Sequence, residues 1–160
     1  MNNILFVCTA NICRSPFAEN AFKMILRDTK EDGIKVHSAG VNALPGFTPP
    51  SEAIRIAREF GVDVSEHTSR SISIGMIKEA DIILVMDLFH IEKILKIEGE
   101  SYSKLKLLGG YSTTSGHTPE ENEIPDPYGF TSFHYRSSFN IILDCLYNLY
   151  KELFNNPINK

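Results

Sequence analysis

The sequence predicts a single-domain α/β fold, in which residues 1–160 form a doubly wound four-stranded parallel sheet flanked by helices. Three observations predict it. Short apolar runs alternate with segments of helical period along the chain, the pattern of strand–helix–strand units with a parallel sheet. The run Ile82-Ile83-Leu84-Val85-Met86 is apolar without a break, as suits a central strand covered on both faces. With 160 residues and 42% hydrophobic composition, the chain can bury one substantial core.

The elements follow in order. The first strand is placed at about Asn3 to Val7. A helix follows to about Arg27, because Ala18, Ala21, Phe22, Ile25 and Leu26 recur at i, i+3, i+4, i+7 and i+8. Asp32-Gly33 marks a turn, and Lys35 to Ala39 reads as the second strand. Gly40 to Pro50 is a Gly- and Pro-rich loop. Thr48 is the expected cap of the next helix with Pro49 at its first position, and Ser51 is a competing cap. Ala53, Ile54, Ala57 and Phe60 form that helix's expected apolar face, and Gly61 ends it. A short helix is expected near Ile74 to Glu79, and the third strand at Asp81 to Met86. Asp87 caps a helix carrying Ile91, Ile94 and Leu95 on one face, and Lys104 to Leu108 is the fourth strand. Gly109 to Pro125 is the longest irregular segment, a length that usually signals function or disorder. The last helix runs from about Phe133 to Phe154, with Phe139, Ile142, Cys145, Leu146, Leu149 and Leu153 in one stripe. Cys145 therefore reads as a core residue.

One stretch concentrates chemistry. Val7-Cys8-Thr9-Ala10-Asn11-Ile12-Cys13-Arg14-Ser15-Pro16 joins the first strand to the first helix and holds Cys8 and Arg14 in a C-x5-R spacing. A loop at a helix N-terminus converges backbone N–H groups on an anion, and the helix dipole favours negative charge there. This is therefore a phosphate-binding loop, with contributions from Thr9, Ala10, Asn11, Ile12, Cys13 and Ser15. Cys8, at the strand end, lies beneath the bound phosphorus as nucleophile. Arg14 can fork two phosphate oxygens, which a lysine cannot do. The same positive surroundings favour a thiolate, and Ser15 can add a hydroxyl hydrogen bond to the sulfur. In open parallel sheets ligands bind beyond the carboxyl ends of the strands, where Cys8, Ser38 and Asp87 all fall.

Composition removes other classes. A net charge of −4 argues against a nucleic-acid partner. The apolar runs fall far short of the roughly 20 residues of a membrane span, and the N-terminus lacks the features of a signal peptide. Three cysteines, one at a nucleophile position, point to a reducing, cytoplasmic setting. A C-x4-C pair without a second Cys or His pair does not make a zinc site, so no metal and no cofactor are expected.

Val-Cys-Thr-Ala-Asn-Ile-Cys-Arg-Ser-Pro at Val7 to Pro16 resembles the signature loop of the low-molecular-weight protein tyrosine phosphatases, bacterial branch. Asp126-Pro127-Tyr128 resembles the family's late Asp-Pro-Tyr, and Ser38-Ala39-Gly40 and His67-x-x-Arg70 its supporting motifs. The likeness spans nearly the whole chain. It implies a protein tyrosine phosphatase that works through a cysteinyl-phosphate intermediate. Asp126 serves as general acid and then base, and Tyr128 stacks on the substrate ring. Asn11 takes a left-handed backbone, braced by Ser38 and His67. Thr9, Val41 and Leu44 are expected along the pocket walls. Cys13 is expected as a resolving thiol, forming a reversible disulfide with Cys8 under oxidation. The family often has a second aromatic right after the Tyr128 position; here Gly129 intervenes before Phe130, which bears on the pocket rim.

The run Glu123 to Tyr128 resembles members that act on bacterial tyrosine autokinases linked to exopolysaccharide export. A phosphotyrosine protein is thus the expected partner, and the expected state is a monomer or weak homodimer. Three alternatives stand beside this reading. The related phosphoarginine phosphatase has a threonine for Ile12 and a phenylalanine for Tyr128, and both positions here favour tyrosine. An arsenate reductase on the same fold needs two further mid-chain cysteines, and none lies between Cys13 and Cys145. A non-catalytic phosphate-binding module needs neither nucleophile nor acid.

Overall fold

The computed structural model describes residues 2–154. Four parallel strands, β1 (Asn3–Cys8), β2 (Lys35–Gly40), β3 (Ile82–Val85) and β4 (Leu105–Leu107), lie in the order β2-β1-β3-β4. Ile4 pairs with Val36 on one side and Ile82 on the other, so β1 is central. Successive strand side chains point to opposite faces, and helices cover both. Ile4, Phe6, Ile82 and Leu84 pack against α1 (Arg14–Thr29), α2 (Ser51–Glu59) and α5 (Ser132–Phe154). Leu5, Val7, Ile83 and Val85 pack against α3 (Ile74–Glu79) and α4 (Leu88–Ile97). Double coverage is why these strands carry apolar residues at every position rather than every second one. Among the described residues, no helix is long and apolar enough to cross a membrane.

Strands, helices and turns lie within a residue or two of their expected positions, with one instructive difference. α2 starts at Ser51; Pro50 stands at the N-cap position with φ −55°, ψ 147° and no side-chain cap. Neither Thr48 nor Ser51 therefore caps, and Ser51, not Pro49, is the first helical residue. Pro49 precedes another proline, and the ring of Pro50 pushes the preceding residue out of the helical region. The buried face of α2 is accordingly Ala53, Ile56 and Ala57, with Ile54 only half-buried. Gly61 ends the helix with φ 75°. The 109–125 stretch is not wholly irregular: 3-10 turns occupy Leu108–Tyr111 and Glu120–Asn122.

Strand order reverses between β1 and β3, so the crevice at their carboxyl ends is the switch point where ligands bind in such sheets. Two close backbone approaches shape its walls. A Cβ on Gly40 would sit 2.5 Å from the Thr9 carbonyl oxygen, so only glycine lets the end of β2 lie under the loop after β1. A Cβ on Gly109 would collide with the Asn122 backbone. Glycine there lets the segment leading to Asp126 fold back toward the sheet.

Candidate active site

The loop after β1 carries its strain at one residue. Asn11 has φ 56°, a left-handed conformation that Asn tolerates through its local hydrogen bonds. Its amide donates to Ser15 Oγ at 2.8 Å and Ser38 Oγ at 2.9 Å. Its Oδ1 accepts the Arg70 backbone N–H at 3.0 Å and lies 3.1 Å from His67 Nε2. The same His67 nitrogen lies 3.0 Å from the Asn11 carbonyl, so His67 donates there from a partly buried ring. Burial lowers the His67 pKa and keeps the ring neutral. Behind this layer Ser38 donates to buried Glu19 at 2.6 Å, and Lys23 and Arg70 pair with that carboxylate. Asn11 is thus held by partners from α1, β2 and the 67–70 segment at once.

That scaffold presents Cys8. Its sulfur accepts the Asn11 backbone N–H at 3.3 Å and lies 3.0 Å from Ser15 Oγ. The Asn11 N–H and the positive N-terminal end of α1 thus meet at the sulfur. Arg14 opens α1 and is 2% exposed. Its Nη1 donates to the Ile124 carbonyl at 2.9 Å and to Asp87 Oδ2 at 3.2 Å, and its Nη2 lies 3.2 Å from Asp126 Oδ2. Its Nε is buried with no partner among the described residues. Ile124 and Asp87 therefore hold the guanidinium in place, Asp126 pairs with it in the cavity wall, and Nε is a donor to spare.

Asp126 arrives on the segment that begins at Gly109. Ile124 N–H bonds to the Met86 carbonyl at 2.8 Å, tying this segment to the end of β3. Ser138 on α5 holds the Pro125 carbonyl at 2.8 Å. Asp126 then accepts the Tyr128 N–H at 3.2 Å in a local turn completed by Gly129 at φ 79°. Cys8, Thr9, Ala10, Ile12, Cys13, Arg14, Asp126 and Tyr128 line one cavity of about 270 Å³.

Other expected residues fall elsewhere. Val41 packs against the core on the α3/α4 face rather than in the cavity wall, because its backbone N–H continues the sheet edge by bonding to the Cys8 carbonyl. Leu44 lines a separate hollow of about 160 Å³ with Ala10, Ile12, Asn42 and Phe47. Phe130 lies against His134, ring centroids 5.0 Å apart, so the inserted Gly129 turns the second aromatic toward α5. Cys13 is 4% exposed and lies 3.9 Å from the Tyr135 hydroxyl; burial pushes its thiol up to about 12.

Reading the residues alone missed Glu19, His90 and the Ile124 carbonyl. His90 was legible in part. Asp87-x-x-His90 has the spacing of a capping box, and the structure forms one at the start of α4. Its Nδ1 accepts the Met86 and Asp87 N–H groups at 3.3 and 3.2 Å, and its Nε2 lies 2.9 Å from Thr9 Oγ1. The Nδ1 also lies 3.2 Å from Asp87 Oδ1. Burial nonetheless outweighs that carboxylate and lowers the His90 pKa to about 4. Glu19 and the Ile124 carbonyl had no such signal.

Comparison with known proteins places this geometry in a family. The family model for low molecular weight phosphotyrosine protein phosphatase matches residues 3–158. Low molecular weight protein-tyrosine-phosphatase Wzb of Escherichia coli K12 is 40% identical over 127 residues, 79% of this chain and 78% of that protein. Wzb of Vibrio vulnificus, solved with benzylphosphonate, superposes with TM-score 0.83 at 32% identity, over 95% of this chain and 99% of that one. The YwlE arginine phosphatase of Geobacillus stearothermophilus superposes with TM-score 0.83 at 27% identity, over 97% and 94% of the two chains. From the loop, its supports and these likenesses, the chain belongs to the low molecular weight phosphotyrosine protein phosphatase family.

Proposed function

We propose that the protein hydrolyses phosphotyrosine in a protein substrate through a cysteinyl-phosphate intermediate. The observation that carries this reading is that nucleophile, cation, acid and aromatic line one cavity: Cys8, Arg14, Asp126 and Tyr128. Cys8 Sγ attacks phosphorus in line and the phenolate oxygen leaves. Arg14 and the loop N–H groups take up the charge on the equatorial oxygens. Asp126 donates its proton to the leaving oxygen, since phenolate is a poor leaving group. Water then attacks phosphorus as the Asp126 carboxylate takes its proton; the new O–P bond replaces the S–P bond, releasing phosphate and the Cys8 thiolate. Tyr128, 59% exposed at the rim, offers its ring face to the substrate. Cys13, in the same wall, is the candidate partner of an oxidised Cys8. A tyrosine autokinase in the cytoplasm is the partner suggested by the likeness to bacterial members.

The test is phosphate release from a phosphotyrosine peptide in the presence of chelator. Wild type turns over and Cys8→Ser does not. Asp126→Ala is slowed about 100-fold or more, most on phenyl phosphates with poor leaving groups. Turnover of phosphoarginine but not phosphotyrosine would replace the substrate class. Equal peptide binding by wild type and Cys8→Ser with no turnover by either would leave only a phosphate-binding module.

A further inference from the structure

We propose that His90 is a positioning residue of this site: it closes a hydrogen-bonded circuit from Arg14 to Thr9 and fixes the Thr9 hydroxyl as a donor to a phosphate oxygen. The inference rests on the phosphatase reading above and adds a residue from outside the loop. Asp87 divides its carboxylate between two partners. Its Oδ2 holds Arg14 Nη1 at 3.2 Å, and its Oδ1 accepts the His90 N–H at 3.3 Å. His90 in turn reaches back to Thr9 in the loop after β1. Arg14 and Thr9, at opposite ends of that loop, are thereby joined through the start of α4.

The direction of each hydrogen bond is settled by chemistry. Nδ1 of His90 faces two backbone N–H groups, those of Met86 and Asp87. Asp87 Oδ1 lies 3.2 Å from the same nitrogen and accepts the His90 backbone N–H; two donors against that one acceptor favour the Nδ1 lone pair, which puts the ring proton on Nε2. Nε2–H therefore donates to Thr9 Oγ1. With the ring 0% exposed, water does not compete. Thr9 then keeps its own hydroxyl proton, for which the described residues offer no acceptor, and Thr9 lines the cavity shared by Cys8 and Arg14. The other tautomer would set three N–H groups against one another and leave Thr9 as donor to the ring. The charged groups around His90 are Asp87, Arg14 and Asp126. A neutral ring leaves Arg14 the only cation among them.

The experiment compares His90→Asn, Thr9→Val, Thr9→Ser and the His90→Asn/Thr9→Val double variant. Asn offers an oxygen where Nδ1 accepted, and is too short to reach Thr9. His90→Asn and Thr9→Val should each lower kcat/KM roughly 5- to 10-fold, the range of one lost hydrogen bond. Most of the change should fall in kcat, with melting temperatures close to wild type. The double variant should be no slower than the worse single variant, because both remove one interaction. Thr9→Ser should recover most of what Thr9→Val loses. Wild-type kinetics in His90→Asn, or losses that multiply in the double variant, would overturn the assignment. If His90→Asn does not fold, the Thr9 pair decides alone, and a Thr9→Val enzyme as fast as wild type sinks it. Inorganic phosphate affinity is read by calorimetry in parallel. A wild type silent on phosphotyrosine would strike the functional reading. Weaker phosphate binding by Thr9→Val would still support this circuit, and undiminished affinity would refute it.

Discussion

At the scale of single residues, burial decides which groups titrate. Cys13 is protonated at neutral pH because burial pushes its thiol up to about 12. It can trap a sulfenic Cys8 only slowly, so mild peroxide is the condition to use. Thiol should then restore most wild-type activity but little of Cys13→Ala; equal recovery would remove Cys13 from redox protection. His90 gives a stability prediction with a definite sign. Its pKa is about 4 in the fold against 6.5 unfolded. The unfolded chain therefore binds the proton more readily, and stability falls as pH drops from about 6.5 toward 4. Going from pH 7 to 5 should therefore lower stability through this residue. Urea unfolding of wild type and His90→Asn across that range checks it: the variant should have the shallower slope. Cys8, Arg14 and Asp126 were legible at this scale because their chemistry is tied to short motifs. Glu19 was not, since a glutamate on a helix is ordinary until Ser38, from another strand, donates to it.

At the scale of elements, apolar contacts outweigh the surface charge pairs. Phe139 of α5 is 0% exposed and stacks on Phe17 of α1, ring centroids 4.1 Å apart and nearly parallel. Tyr135, one turn earlier, meets the Phe139 ring edge-on at 6.0 Å. Phe139→Ala should cost about 3–5 kcal/mol, the range for emptying a fully buried aromatic site. Arg136, by contrast, pairs with Glu59 at 2.6 Å on the surface. Arg136→Ala should leave the denaturation midpoint almost where it was, since exposed pairs are screened. A Phe139→Ala midpoint as close to wild type as that of Arg136→Ala would refute this ranking. Helices with clear periods were legible, as with α1 and α5. The start of α2 was not, because Thr48 and Ser51 both offered a cap, while the Pro49-Pro50 pair keeps Pro49 out of the helix and leaves Pro50 at the cap position.

At the scale of the whole molecule, the site exists only when distant segments meet. Arg14 opens α1, Asp87 follows β3, and Ile124 and Asp126 come from the segment before α5. A phosphate bound there stabilises the fold, because the unfolded chain has no such site. Inorganic phosphate at 100 times its dissociation constant should add about 2.7 kcal/mol and raise the melting temperature. Arg14→Ala should lose most of that shift, and an equal shift in both proteins would place the anion elsewhere. The sequence by itself determined the sheet, its alternation with helices, and the loop that carries Cys8 and Arg14. Those features are local: each is written in periodicity or spacing within a few neighbouring residues. Only the tertiary structure decided which partners hold that loop: Glu19 behind Ser38, the Ile124 carbonyl on Arg14, His90 beneath Thr9. Such contacts join residues up to 110 positions apart, and no local pattern records them because strand order and packing choose the neighbour.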